Sequence, residues 1–427
     1  MRQSFDKVVP FEDKLLFGRR KVKDVKNRKW QFVQAKFLRS CEKGNAFNAI
    51  FTSGLCIGLP LSSRIIKENR TDIGIVAKVW CYAFAILKTI MFVFNVAYLH
   101  QFLQALSIST TFYGYTVCGY LTTLLLFKNR KKLYMAIQNL TYFSTVMNPD
   151  SCIGSKYARL LLGAYFSSLV LLQACVFVFF FFEQYNYPNH AVHNTTIYVP
   201  SFIPEDMKES YMNFVVLCVI ATFGLSISTS GFMFILCINL YAALANLIDA
   251  YDQKLKDQIR CMDWGVEVIS EDINVFKNLV YRVHEVDSAV NMYVFLMYGA
   301  LISGFFNTVS VMIMGDDSFR TPISIVYIVM IFSTAVTVLF VVSCCGSKII
   351  DKSDQVKRRM VDFSDKFVQF SPSVPSLQVF NLLFEIISKS DIMVTGGGMF
   401  VINCALVLTI ASVMVTYGVL ILQLDQK

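Results

Sequence analysis

Seven mostly apolar stretches of about 20 residues or more recur along the chain, with polar segments between them. They fall near 77–99, 102–127, 157–182, 211–240, 289–314, 322–345 and 399–423. A helix of about 20 residues matches the hydrocarbon thickness of a bilayer, and a soluble core needs no run of that length. The pattern predicts an all-α polytopic membrane protein with seven transmembrane helices. A further stretch, AFNAIFTSGLCIGLPL at 46–61, has only 16 residues and includes two glycines and a proline. It reads as an interfacial or re-entrant segment leading into the first span.

Between 241 and 288 the apolar spacing mixes with charge, so the fourth and fifth helices are expected to continue beyond the bilayer. Ser373-Val374-Pro375-Ser376 marks a helix start, and Leu377, Phe380, Phe384 and Ile387 mark one face of the new helix. TGGG at 395–398 breaks that helix before the last span. KNRKK at 128–132 and KIIDKSDQVKRRM at 348–360 read as loops after the second and sixth spans. These signals divide the chain into a basic arm (1–45), six spans (46–345), helices outside the membrane forming an assembly domain (346–398), and a seventh helix (399–427).

Composition agrees with the membrane reading: 55% of the 427 residues are hydrophobic, 16% are charged and the mean hydropathy is +0.52. The formal charge of +9 would suit nucleic acid if it formed one patch, but its distribution tells otherwise. Residues 1–45 hold 13 of the 39 Lys and Arg, and the other clusters come after the second and sixth spans. The alternate connections carry little more than Lys208 and Arg320. Positive residues stay in the cytosol, so the N-terminus is expected there and an odd number of spans puts the C-terminus outside. No cleaved signal peptide is visible, so the first span is expected to act as its own insertion signal. Nucleic acid is not an expected partner.

This orientation opposes that of a G-protein-coupled receptor, and neither Asp-Arg-Tyr nor Asn-Pro-x-x-Tyr occurs at the span ends. A transporter would be expected to show an internal repeat, and none is found. A membrane enzyme would need clustered His, Asp or Cys within spans, and no such cluster is present. The 12 cysteines are scattered apart from Cys344 and Cys345, without zinc spacing, and read as packing groups and reduced thiols. His190 and His193 share a loop without a third ligand, so no metal or other cofactor is expected. Lys88 lies inside the first span and must reach an interface or a partner. Asn194-Thr195-Thr196, in the outer loop 183–210, is a candidate glycosylation site.

The chain closes on TYGVLILQL, with Leu420 and Leu424 at i, i+4 on one helix face. On spacing alone that face suits lipid or core contact. The sequence Thr416-Tyr417, five apolar residues and Gln423 resembles the signature of the insect gustatory receptor family, whose final residue is Phe where this chain has Leu424. The odorant co-receptor branch of the same superfamily tends to share that leucine. The stretch VTGGGMFVINCALVLTIASVMV before it is similar to the family's last helix.

The resemblance implies a plasma-membrane chemoreceptor of sensory neurons acting as a ligand-gated, non-selective channel for monovalent and divalent cations. Four identical or related subunits would meet through the helices outside the membrane, surrounded by membrane lipid. Their last helices would line one pore, with Val413, Thr416, Leu420, Gln423 and Leu424 along it. A small-molecule tastant would bind in the outer half. The polar residues there are Gln104, Thr111, Tyr115, Gln173, Asn213 and Tyr327. An odorant receptor or co-receptor subunit is the alternative.

Overall fold

In the computed structural model the described residues are 46–60, 74–102, 106–147, 160, 162–171, 173–174, 178, 204, 207–261, 265–314, 322–369 and 373–425. Met1–Gly44 is a separate unit outside them, and Asn45–Lys427 is the unit considered below. The helices are α1 (Ala46–Cys56), α2 (Ile75–Phe102), α3 (Leu106–Met147), a stretch α4 (Leu162–Leu171), α5 (Lys208–Cys261), α6 (Val266–Met314), α7 (Pro322–Gln369), α8 (Val374–Lys389) and α9 (Cys404–Asp425). A two-stranded antiparallel ribbon, β1 (Thr395–Gly396) and β2 (Phe400–Val401), separates α8 from α9.

Among the described residues, four helices are long and apolar enough to cross a membrane, through Ile75–Val93, Gly224–Arg260, Val266–Phe306 and Ile328–Phe367. A backbone without water must satisfy its N–H and C=O groups internally, which is why these segments are helical throughout. The expected second and seventh spans lie on α3 and α9, and the third falls partly outside the described residues.

Two expected loops are not loops. α3 continues unbroken through KNRKK, and α7 through KIIDKSDQVKRRM and past the 345–346 boundary. Their lysines and arginines hide a stripe. On α3 Leu133, Ile137, Leu140 and Ser144 are buried, and on α7 Ile349, Ser353, Val356 and Met360. On α8 the same i, i+4, i+7, i+11 spacing recurs in Ser376, Phe380, Leu383 and Ile387. Leu383, rather than the expected Leu377 and Phe384, completes that face because it points at the neighbouring helices. α6 keeps steps of three and four from Ile269 through Asp272, Phe276, Leu279, Val283, Val286 and Val290.

A mean step of 3.5 residues keeps one seam facing its partners along the whole helix. Each buried Leu, Ile or Phe in such a seam is worth roughly 1.5–3 kcal/mol. Phe367 and Phe380 stack with centroids 4.2 Å apart, closing α7 on α8. Ser373 caps α8, its hydroxyl accepting from the Ser376 N–H, with Pro375 in the first turn.

Residues 46–60 pack one side against the helices. Phe47, Ile50, Phe51 and Leu59 are fully buried in protein. Tyr134 on α3 stands edge-on to Phe51 at 5.7 Å and donates to the Pro60 carbonyl at 3.1 Å. Trp80 of α2 donates to the Leu55 carbonyl at 3.1 Å. Lys88 does not snorkel: it is buried, and its Nζ donates to Thr229 Oγ1 on α5 at 2.6 Å.

Polar ties fix the register of the extensions. Asp252 on α5, 1% exposed, accepts from Arg359 Nε and a terminal guanidinium nitrogen on α7 at 2.6 and 3.0 Å. Lys256 lies 3.1 Å from the same carboxylate. Asp272 on α6 accepts from Lys254 and Gln258 of α5 at 2.9 and 3.2 Å. Replacing Asp252 by Ala strands the Arg359 fork against a buried seam. The loss is expected at about 2–3 kcal/mol, below the ~3–5 kcal/mol of a fully buried pair because both cations keep contact with water. Asp249→Ala removes only an exposed partner of Lys352 and should change little. Thermal unfolding of the detergent-solubilised chain measures both, and equal melting points for the two variants would refute the assignment.

Candidate functional site

The site is built where the chain turns from α8 into α9. Thr395 pairs with Val401 and Gly396 with Phe400, and the turn between them holds Gly397 and Gly398 at φ of 61° and 70°. Positive φ costs an L-residue roughly 1–2 kcal/mol, so the TGGG run supplies what the turn needs. Asp287 on α6 grips the first strand: its two oxygens accept from the Thr395 N–H at 2.6 Å and the Thr395 hydroxyl at 2.9 Å. One turn further along α6 the Asn291 carbonyl accepts from Gly397 N–H at 2.9 Å. Phe400 packs its ring 5.4 Å from Tyr298.

The start of α9 is held from the other side by α7. Ser347 Oγ accepts from the Cys404 N–H at 2.8 Å, and Asn403 Oδ1 accepts from the Leu406 N–H at 3.0 Å as a cap. Gly346 allows this approach, because a Cβ there would lie 2.4 Å from the Ile402 carbonyl oxygen.

From that foot α9 packs on α6 and α7. Tyr417 of the signature points inward, edge-on to Phe306 at 4.5 Å and 85°. Ile410 is buried, and Gly418 sits beside Val309 and Ile313 of α6. The opposite side has no partner within the described residues: Val413 is 51% exposed, Leu420 53%, and Thr416 and Gln423 are exposed as well. The Leu424 side chain lies outside those described.

At about 100° per residue, Thr409, Ser412, Thr416 and Gln423 fall within an arc of about 60°. Leu420 and Val413 lie on one flank of this arc, and Leu408 and Val415 on the other. Thr409 and Ser412 were not among the sequence candidates. Their offsets of seven and four residues from Thr416 are the signal that finds them. Thr409 and Thr416 each donate to the carbonyl four residues back, at 3.0 Å, which turns hydroxyl oxygens outward as acceptors along the stripe. A helix so decorated can offer weak oxygen contacts to a hydrated cation while its flanks stay apolar.

Of the ligand candidates, Gln104 lies outside the described residues, as does Asn194. Thr111 and Tyr115 belong to α3, Asn213 to α5 and Tyr327 to α7, but their side chains are outside those described. Gln173 is described. Its amide lies against α5, where a Cβ on Gly224 would meet its Cδ at 2.7 Å, and its Nε2 is buried with no hydrogen-bond partner among the described residues. Tyr165 donates to the Ile227 carbonyl at 2.8 Å, which ties α4 to α5. Elsewhere a cavity of about 10 Å³, the size of one water, lies between α2, α3 and α5 beside Lys88, Thr116, Ser226 and Thr229.

No protein-family model matches the sequence, and no curated protein sequence matches it. Solved structures do. The insect olfactory receptor OR5 from Machilis hrabei superposes with a TM-score of 0.54 at 15% identity, over 86% of this chain and 97% of that one. The same receptor in complex with eugenol gives 0.55 at 14% identity, over 88% and 97%. The two proteins share a fold.

Placing a methyl group on the ribbon turn tests its role. Gly397→Ala adds a Cβ 3.2 Å from Phe295 at positive φ, whereas Gly398→Ala meets nothing within 4 Å. Both should destabilise the fold, by roughly 1–2 kcal/mol for the backbone alone, and so lower the melting temperature, with Gly397→Ala the more damaging. Equal stability to the parent chain in both would show that the turn does not set the foot of α9.

Proposed function

We propose that this chain is a subunit of a ligand-gated, non-selective cation channel of the gustatory receptor type. Seven spans carry the N-terminus in the cytosol and the C-terminus outside, with residues 1–45 as a cytosolic arm. Four subunits meet through the polar extensions and 346–398, and their copies of 399–427 enclose the ion path. The observation that carries this reading is the face of α9 that has no partner among the described residues. It presents a hydroxyl stripe flanked by Leu420 on a helix whose opposite face is locked to α6 and α7. The fold shared with an olfactory receptor supports it.

Four copies of α9 would bring Leu420 and Leu424 into stacked rings. A ring of leucines narrow enough to shed water blocks ions without a charged plug, and small outward movements re-wet it. Thr416, Ser412 and Thr409 would continue the path toward the cytosol, with Val413 beside them and Gln423 at the constriction. A small apolar or hydroxylated tastant would sit among Gln104, Thr111, Tyr115, Gln173, Asn213 and Tyr327. The buried amide of Gln173 is a donor in want of such an acceptor. Asn194 would carry a glycan on the outer loop, and the channel would work in the plasma membrane of sensory neurons.

A second reading is an odorant receptor or co-receptor subunit. It is favoured by Leu424 in the signature and by the structural likeness to an olfactory receptor in complex with eugenol.

Current recording across a panel of small molecules in cells expressing the chain tests the proposal. Leu420→Ala and Leu424→Ala should each raise ligand-independent current several-fold by widening the dry constriction. Unchanged currents from variants that reach the surface normally would remove α9 from the pore.

A further inference from the structure

The foot of α9 carries two thiols that the sequence keeps 60 residues apart. Cys344 on α7 and Cys404 at the first turn of α9 place their sulfurs 3.6 Å apart. The contact is built into the fold. Gly346 lets the chain before α9 press against α7, and Ser347, three residues from Cys344 and on the same face, holds the Cys404 N–H. Neither thiol is buried: Cys404 is exposed and Cys344 half-buried. Cys345, the next residue, has no such contact with Cys404 among the described residues.

We propose that Cys344 and Cys404 form a modification site, oxidised by a hydroperoxide to a disulfide that ties α9 to α7. The chemistry balances in two steps. The more exposed Cys404 sulfur, as thiolate, attacks the peroxide O–O bond, becomes a sulfenic acid and releases water or an alcohol. The Cys344 thiolate then attacks that sulfur, forms the S–S bond and expels the sulfenic oxygen as water. Both sulfurs are oxidised by one electron each, and the two peroxide oxygens are reduced.

A disulfide needs its sulfurs at about 2.05 Å, so the two side chains, already in contact, must close by about 1.5 Å. Lys348 lies one turn beyond Cys344, at the end of the span where basic residues begin, and a cytosolic setting would keep the pair reduced at rest. The consequence for ion flow rests on the function proposed above. A covalent tie at the first turn fixes the foot of the helix that must move to open, so oxidation lowers ligand-evoked current, and a dithiol reductant restores it.

The test uses the purified full-length chain, treated with hydrogen peroxide, alkylated and digested for mass spectrometry. The expected result is the loss of two alkylatable thiols and a linked peptide joining the segments of Cys344 and Cys404. The linkage should disappear in Cys344→Ser and Cys404→Ser but persist in Cys345→Ser. Absence of the linked peptide, or its persistence in Cys344→Ser, overturns the proposal. Where the expressed chain conducts, peroxide should reduce its current in the parent and not in Cys404→Ser, and equal effects in both would overturn the coupling. A chain that forms the linkage and never conducts contradicts the channel reading while leaving the thiol pair established.

Discussion

A helix that leaves a bilayer loses its apolar surroundings, and it can continue only if one face finds a new apolar partner. Here α3, α5, α6 and α7 all run far past the length a membrane requires. The partner is the buried seam of steps three and four that each extension carries. Because the seam begins inside the apolar part of α6 and α7 and continues without a break, the membrane half and the polar half are one rod per helix. Buried carboxylates such as Asp252 and Asp272 keep neighbouring rods in register.

α9 stands apart from that scheme. It begins at the seam's edge rather than continuing it, set by the ribbon that Asp287 grips and by the Ser347 contact. The result is a helix held firmly at its foot and along Tyr417, and left uncovered on its other side by the described residues. An uncovered apolar-and-hydroxyl face in a membrane protein needs either lipid or copies of itself. Thr409 and Thr416 satisfy their donors on the carbonyls four residues back and keep acceptor oxygens outward, a surface that suits the ion path of the proposed function.

Much of the architecture was legible in the sequence. The apolar runs foretold a helical chain with several segments able to cross a membrane, four of them among the described residues. The mixed periodicity of 241–288 foretold the long α5 and α6, and Ser373-Val374-Pro375 marked the start of α8. The basic runs misled. The crowded charges of KNRKK drew attention from Leu133, Ile137 and Leu140 immediately after them, and Lys348 to Met360 concealed Ile349, Val356 and Met360. Apolar positions at steps of three and four, rather than charge, identify both helices. The ribbon's grip on α6 and the meeting of Cys344 with Cys404 could not be read at all, because each joins residues separated by 60 positions or more through packing alone.

The central claim is that the hydroxyl stripe of α9 faces the ion path. Single cysteines introduced at Thr409, Ser412, Thr416, Leu408 and Val415, probed with a charged thiol reagent during current recording, test it most directly. The account predicts that reagent changes the current at Thr409→Cys, Ser412→Cys and Thr416→Cys, beyond any effect on the parent chain, and spares Leu408→Cys and Val415→Cys. Modification confined to Leu408→Cys and Val415→Cys, with the stripe unreactive, would contradict it.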